Sequence, residues 1–161
     1  MLKEKFLFPE DANKGIEETG QSFHLNDCRL IVFPHPLDKS NLITLESNQR
    51  IPFEIKRVFW IYDLPNYAFR GNHVMKTTEE FVIALNGSFD VELDDGVNKQ
   101  SFTLNKPDFG LSIRPTIWRT LKNFSPNTIV LAFTSKLFDK NDYISVYDIF
   151  KKMITTKVNE N

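Results

Sequence analysis

Short apolar runs separated by turn residues fill the chain from residue 21 onward. Most are shorter than an ordinary helix and recur at intervals typical of an all-β sandwich or barrel. They cover residues 29–33, 42–45, 55–62, 80–85, 88–93, 99–104, 111–113, 116–124 and 128–133. We therefore predict an all-β domain.

Two neighbouring runs predict how the sheet is buried. Residues 89–93 alternate strictly between apolar and acidic side chains, which predicts a strand with one buried face and one face exposed to solvent. Residues 81–85 are apolar throughout, which predicts a strand covered on both sides. Asn86-Gly87 between them tolerates the positive φ that a tight hairpin turn needs, and Asp94-Asp95-Gly96 repeats the signal.

The two ends of the chain differ from this pattern. From Tyr143 onward, apolar side chains recur at steps of three and four residues behind the potential cap 139–142, which predicts a C-terminal amphipathic helix. Residues 1–20 are mostly polar and charged, and we predict an arm there. The predicted organisation is an arm over 1–20, one domain with its helix over 21–157, and a tail over 158–161.

Composition excludes several classes of partner. Twenty basic and 21 acidic residues give a net charge of −1, and no window concentrates Lys and Arg, which disfavours nucleic acid. No run of about 18 apolar residues predicts a membrane span, and no signal peptide is evident. The single cysteine, Cys28, cannot close an internal disulfide, which fits a reducing compartment. We expect a soluble, cytoplasmic protein.

The stretch 70–80 gathers titratable side chains immediately before the doubly covered strand. Its spacing is similar to the first motif of the cupins, Gly-x(5)-His-x-His-x(3,4)-Glu-x(6)-Gly, in which Glu80 and Gly87 fit. A cupin metal needs two or three imidazoles and a carboxylate around one ion, and only His73 and Glu80 remain here. Met75 replaces the second histidine, and Arg119 or Thr120 replaces the histidine of the second motif. We therefore predict no bound metal.

Further motifs identify the chain as a member of one cupin family, the sugar 3,4-ketoisomerases (FdtA, QdtA and WxcM-like). They occur in the right order over about residues 38–153. The motifs are the run 51–63, Arg70-Gly71-Asn72-His73, Asn86-Gly87-Ser88-Phe89-Asp90-Val91, Leu93-Asp94-Asp95-Gly96, Pro107, Gly110, Pro115, Trp118, Asn123-Phe124-Ser125, Asp142-Tyr143-Ile144 and Tyr147-Asp148.

This resemblance implies a cupin jelly-roll barrel with a C-terminal amphipathic helix and no metal or other cofactor. It implies an isomerase that converts dTDP-4-keto-6-deoxyglucose into a 3-keto sugar through an enediol, in deoxysugar, lipopolysaccharide or O-antigen biosynthesis. The implied partner is a nucleotide-linked sugar, a dTDP-sugar. The implied assembly is a homodimer whose subunits exchange N-terminal strands.

One departure from the family bears on activity. The family motif reads Arg-Gly-x-His-x-His, and this chain keeps the first histidine as His73 but has Met75 at the second. A thioether transfers no proton, and loss of a positioned general base commonly costs about 10²- to 10⁴-fold in rate. Two functions follow: a ketoisomerase in which His73 acts without that partner, or a nucleotide-sugar-binding cupin that has lost the activity.

His73 and Tyr62 are the catalytic candidates. His73 falls on the inner face of the barrel if Val74 points outward, and Met75 then shares that face. The alternative for His73 is a hydrogen-bonded structural role. Tyr62 offers a phenol, although its neighbour Ile61 leaves its direction open.

The substrate-binding candidates are Arg70, Met75, Lys76, Trp118 and Arg119. The two guanidinium groups match the oxygens of a diphosphate. Trp118 either stacks on a base or sugar or fills the barrel. Met75 either reshapes the sugar pocket or is core filler. A surface ion pair is the alternative for Arg70, and a solvated pair with Glu79 for Lys76.

Overall fold

The computed structural model describes residues 23–34 and 41–159. This part of the chain forms ten strands and one α-helix, together with 3₁₀ turns at Leu25–Asp27 and Lys140–Asp142. The strands and the helix are β1 (Arg29–Val32), β2 (Arg57–Ile61), β3 (Arg70–Met75), β4 (Glu80–Asn86), β5 (Phe89–Asp94), β6 (Lys99–Leu104), β7 (Phe109–Ile113), β8 (Trp118–Lys122), β9 (Ile129–Thr134), β10 (Tyr143–Ile144) and α1 (Tyr147–Asn159).

The strands form two antiparallel five-stranded sheets that face each other. The first has the order β1-β7-β4-β9-β2 and the second β10-β3-β8-β5-β6, so consecutive strands often cross between sheets, as in a jelly roll. Both sheets contribute to one apolar core: Val82 and Ala84 of β4 meet side chains such as Val91 of β5 and Leu121 of β8. The all-β prediction with a C-terminal helix is confirmed.

The outer face of the first sheet is also covered. Phe81 and Ile83, which alternate with Val82 and Ala84 on β4, pack into a second cluster with Phe33 and Phe53. The prediction that β4 is buried on both sides is therefore confirmed. Gly110 on β7 allows this packing, because a Cβ at that position would lie 2.4 Å from the Phe81 ring.

The helix α1 covers the outer face of the second sheet. Phe150 and Ile154 of α1 pack on Val74 of β3 and Trp118 of β8. The Tyr147 hydroxyl donates to Asp94 Oδ2 at 2.6 Å, which raises the pKa of Tyr147 to about 12. Since Val74 is held on this outer face, its neighbours His73 and Met75 on β3 point toward the other sheet.

Three details of the sequence interpretation were wrong. Residues 42–45 form no strand; Ile43 and Leu45 lie in an irregular segment that covers the second cluster. The helix begins at Tyr147 rather than Tyr143, because Asp139 caps a 3₁₀ turn and Tyr143–Ile144 pairs with β3. The strand β3 was not among the predicted runs, because its first residues, Arg70 to His73, carry no apolar side chain.

The remaining predictions concern the N-terminal arm, the C-terminal tail and membrane-spanning segments. The arm over residues 1–20, and any strand exchanged within it, lie outside the described residues. The helix α1 reaches Asn159, two residues into the segment assigned to the tail. No helix within the described ranges is long and apolar enough to cross a membrane.

Candidate active site

A bulge in β3 places His73 in the barrel. Gly71 pairs with Thr120 and His73 with Arg119, which leaves Asn72 as an extra residue between them. Such an insertion turns the strand and re-aims the side chain that follows it. Gly71 has a φ of +74°, and a Cβ there would lie 2.7 Å from the carbonyl oxygen of Arg119. The Arg70-Gly71 pair of the motif therefore permits the close approach of β3 to β8.

The local contacts of His73 fix its hydrogen positions. Nδ1 lies 2.9 Å from the carbonyl oxygen of Gly71. A carbonyl oxygen can only accept, so Nδ1 carries the hydrogen and Nε2 has the free lone pair. Nε2 is buried and has no hydrogen-bond partner among the described residues. Burial and the charge of Arg119 lower the pKa of His73 to about 4, so the imidazole is neutral near pH 7.

Arg119 is the cross-strand neighbour of His73 and is completely buried, with 0% of its surface exposed. Its Nε, Nη1 and Nη2 atoms have no hydrogen-bond partner in the described part of the chain. Its closest counter-charge is Glu80, whose Oε2 lies 3.4 Å from Nε. Burying a guanidinium whose N–H groups make no hydrogen bond is costly, and a functional role is one explanation for such a group in a native structure.

Glu80 and Arg57 reach toward this site from the opposite sheet. Glu80 alternates with Phe81 on β4, so its carboxylate points inward, and the residue is only 6% exposed. Arg57 begins β2 and lies over the rings of Phe59 and Phe138, at 4.6 and 5.2 Å from the ring centres. Glu80 thus has two guanidinium groups in its surroundings.

Tyr143 closes the site beside His73. Its ring centre is 4.9 Å from that of His73, and its hydroxyl accepts from Arg57 Nη1 at 3.5 Å. Sequence reasoning missed Arg57 and Tyr143 as site residues, although both lie in motifs that carry the family resemblance. Only the pairing of β10 with β3 and the closure of the two sheets bring them to His73.

The structure separates the predicted binding residues. Met75 is 1% exposed and shares the inward direction of His73. Trp118 lies on the other face of β8 from Arg119, edge-on to Tyr147 and beneath α1. The structure therefore does not bring Trp118 together with His73, and within this chain Trp118 packs the helix onto the sheet.

The remaining predicted residues lie at the surface. Arg70 is exposed and donates to the Phe69 carbonyl at 2.8 Å, and Lys76 is exposed just after β3. Six residue steps of strand, about 20 Å, separate these two residues. Tyr62 follows β2 at the end away from Arg57 and is 65% exposed. The structure does not bring Tyr62 to His73.

Other candidate chemistry lies outside this site. Within the described ranges, no three His, Cys, Asp or Glu side chains lie close enough to hold a metal ion. Burial raises the pKa of Cys28, so its buried thiol stays protonated near pH 7. A cavity of about 350 Å³ lies beside the turn between β5 and β6, lined by His24, Asp95 and Lys99 among others, and contains none of the site residues.

Comparison with known proteins identifies the family. The family model FdtA, described as WxcM-like, C-terminal, matches residues 26–155. The chain belongs to this family. A relative from Aneurinibacillus thermoaerophilus, TDP-4-oxo-6-deoxy-alpha-D-glucose-3,4-oxoisomerase, is 39% identical over 132 residues, which are 81% of this chain and 94% of the relative.

Solved structures of similar proteins confirm the predicted cupin fold of the FdtA, WxcM-like family. A 3,4-ketoisomerase from Helicobacter canadensis superposes with a TM-score of 0.77 at 38% identity, over 80% of this chain and 98% of the other. QdtA, a sugar 3,4-ketoisomerase from Thermoanaerobacterium thermosaccharolyticum crystallised with TDP, superposes with a TM-score of 0.78 at 31% identity, over 83% and 98%. These three relatives are thus isomerase enzymes.

Proposed function

We propose that this chain is a 3,4-ketoisomerase of a TDP-linked 4-keto-6-deoxyhexose, with His73 as the base that acts on carbon. The observation that carries the proposal is the neutral imidazole of His73, whose Nδ1 is tied to the Gly71 carbonyl while Nε2 is buried and free. Because the imidazole is neutral, Nε2 can accept a proton without the ring first releasing one. The names of the relatives supply the substrate class.

The reaction moves a ketone from C4 to C3. His73 Nε2 takes the C3 proton, the electron pair of that bond forms the C3=C4 double bond, and O4 becomes an enolate oxygen. The proton that His73 carries then passes to C4, the hydroxyl hydrogen moves from O3 to O4, and the carbonyl forms at C3. One imidazole returns to its neutral state after each turnover, which is consistent with a site where Met75 replaces a second imidazole.

Arg119 is proposed to stabilise the negative charge on O4. Its three guanidinium nitrogens have hydrogens to donate, and no described residue accepts them. A cation held in a buried site stabilises a developing oxyanion far more strongly than the same cation in water. Since Arg119 lies beside His73, we assign it to the sugar rather than to the diphosphate. The exposed Arg70, with its planar donor pair, is the proposed diphosphate contact.

The test is proton exchange at C3. The purified protein is incubated with TDP-4-keto-6-deoxyglucose in deuterated water, and NMR follows deuterium at C3 and the formation of the 3-keto product. We expect both in the wild-type protein and neither in His73→Ala, with TDP binding retained by the variant. Binding of the TDP-sugar by the wild-type protein without any exchange would instead support the inactive sugar-binding cupin.

We also propose a homodimer that works in cytoplasmic deoxysugar biosynthesis for lipopolysaccharide or O-antigen. Exposed apolar side chains on the edge strands support an interface there: Leu30 and Val32 on β1 are 46% and 48% exposed, and Val58 and Trp60 on β2 are 48% and 63% exposed. We expect exchange of N-terminal strands to cover part of this surface. Light scattering coupled to size-exclusion chromatography tests the dimer, and a monomer at micromolar concentration would rule it out.

A further inference from the structure

Glu80 is a buried carboxylate that the proposed role of His73 leaves unexplained. It lies on the inner face of β4 and is 6% exposed, and its carboxylate forms an ion pair with Arg119 of the opposite sheet. Its neighbour Glu79 provides a contrast, because Glu79 Oε2 is paired with Arg114 Nη1 at 2.5 Å and accepts a direct hydrogen bond. The Glu80–Arg119 pair is longer, at 3.4 Å, and the guanidinium nitrogens of Arg119 have no hydrogen-bond partner among the described residues. A purely structural role therefore explains Glu79 better than Glu80.

The position of Glu80 relates it to the proposed reacting atoms. Its Oε2 lies 3.4 Å from Nε of Arg119, so the carboxylate reaches across the barrel from the first sheet to the second. Arg119 is in turn the cross-strand neighbour of His73. A sugar oxygen bound by Arg119 in front of His73 therefore lies next to Glu80.

The chemistry also leaves one proton transfer unassigned. His73 moves hydrogen between C3 and C4, but O3 begins as a hydroxyl and ends as a carbonyl, while O4 does the reverse. The O3 hydrogen must leave and O4 must gain one. Met75 cannot carry it, and Arg119 keeps its charge. The site therefore needs a second group that both accepts and releases a proton.

We propose that Glu80 is this group and transfers the proton from O3 to O4. This inference rests on the proposed ketoisomerase function. After His73 has taken the C3 proton, O4 is an enolate held by Arg119. The Glu80 carboxylate accepts the O3 hydrogen and delivers it to O4. The C3 oxygen then forms a carbonyl as C4 takes the proton from His73, and both residues return to their starting states.

The surroundings of Glu80 suit a group that exchanges protons in both directions. Burial raises the pKa of its carboxyl, and the charges of Arg119 and Arg57 oppose that rise. A carboxyl whose pKa is raised accepts a proton from a hydroxyl more readily than an exposed carboxylate does.

The test uses Glu80→Gln, which keeps the shape of the side chain and removes its ability to carry a proton. We expect product formation to fall by about 100-fold or more, while C3 deuterium exchange into recovered substrate stays within about tenfold of wild type, because His73 still removes that proton. A parallel loss of both rates, or no loss of product formation, would overturn the proposal. Glu79→Gln is the matched control, and both of its rates should stay near those of wild type.

Two further measurements keep the outcome clear. Circular dichroism and TDP binding report whether Glu80→Gln folds. If it does not fold, Glu80→Asp is the second variant, because it keeps the charge but withdraws the carboxylate by one methylene. We expect product formation to fall much more than C3 exchange in this variant as well. Equal losses in both rates would overturn the proposed role of Glu80. If wild-type protein shows neither exchange nor product, the ketoisomerase function itself fails, and the role of Glu80 fails with it.

Discussion

His73 and Arg119 lie directly opposite each other on β3 and β8. Burial is the main cause of the low pKa of His73, about 4, and the positive charge of Arg119 is the second cause. A histidine beside a buried cation is a neutral base over the whole physiological range. The same cation offers donors to an oxygen that becomes negative when that base acts. One cross-strand pair can thus supply both the base and the stabilising charge.

The first prediction concerns the pH dependence of activity. Since the pKa of His73 is lowered to about 4, we expect the rate of C3 deuterium exchange to remain level as the pH falls from 7.5 to 5 and to decline only near pH 4. A pH–rate profile with the TDP-sugar measures this directly. A decline centred near pH 6.5, the ordinary value for histidine, would show that the base is not the neutral, buried imidazole described here.

The second prediction concerns the pH dependence of stability. An unfolded His73 takes up a proton near pH 6.5 and the folded one only near pH 4, so this residue makes the folded state less stable as the pH falls through that window. The raised pKa values of Glu79 and Glu80 act in the opposite direction, because their folded forms bind protons more readily. We therefore expect the free energy of unfolding of His73→Gln to rise relative to that of the wild-type protein as the pH falls from 6.5 to 4. Parallel curves from urea titrations at each pH would contradict this.

The third prediction separates the two arginines. Arg119 is buried beside His73, whereas Arg70 is exposed. We expect Arg70→Ala to weaken binding of TDP itself by about 10- to 100-fold, the usual value of a charge-assisted hydrogen bond. Arg119→Lys should leave TDP binding within a few-fold and weaken binding of the TDP-sugar. Titration calorimetry with both ligands measures the difference, and the reverse pattern would place Arg119 at the diphosphate.

The fourth prediction concerns the bulge. Gly71→Ala introduces a Cβ 2.7 Å from a backbone oxygen of Arg119 at a φ of +74°. We expect a loss of about 1–3 kcal/mol in the free energy of unfolding, together with reduced kcat, because β3 must move away from β8. Gly96→Ala is the control, since its φ of +91° is also left-handed but its Cβ meets only the Ile154 side chain, at 3.0 Å. Equal activity in the two variants would show that the close approach does not position His73.

The fifth prediction concerns Met75, which is 1% exposed. Met75→Leu conserves volume, so we expect it to cost less than about 1.5 kcal/mol and to keep activity within tenfold. Met75→His buries an imidazole where the wild-type protein has a thioether, and we expect it to be destabilising by about 1–3 kcal/mol unless the ring finds a partner. Denaturant unfolding and the C3 exchange assay measure both. A large loss of activity in Met75→Leu would show that the thioether has a direct role.

The sequence by itself determined the class of fold, the C-terminal helix and the place of His73 on the inner face. These follow from local patterns: alternation along a strand, the apolar run of β4, the Asn86-Gly87 turn and the order of the family motifs. The same local rules gave an incorrect strand at 42–45. An apolar segment that only covers a sheet has the same composition as a strand that belongs to the sheet.

The tertiary structure alone decided which side chains meet. Glu80, Arg119, Arg57 and Tyr143 come from four different strands, and their convergence depends on how the two sheets close on each other. The direction of Trp118 depends on where α1 packs, and the tautomer of His73 depends on the bulge at Asn72. Periodicity predicts the face on which a residue lies, but contacts across the barrel depend on non-local register and closure, which no single stretch of sequence encodes.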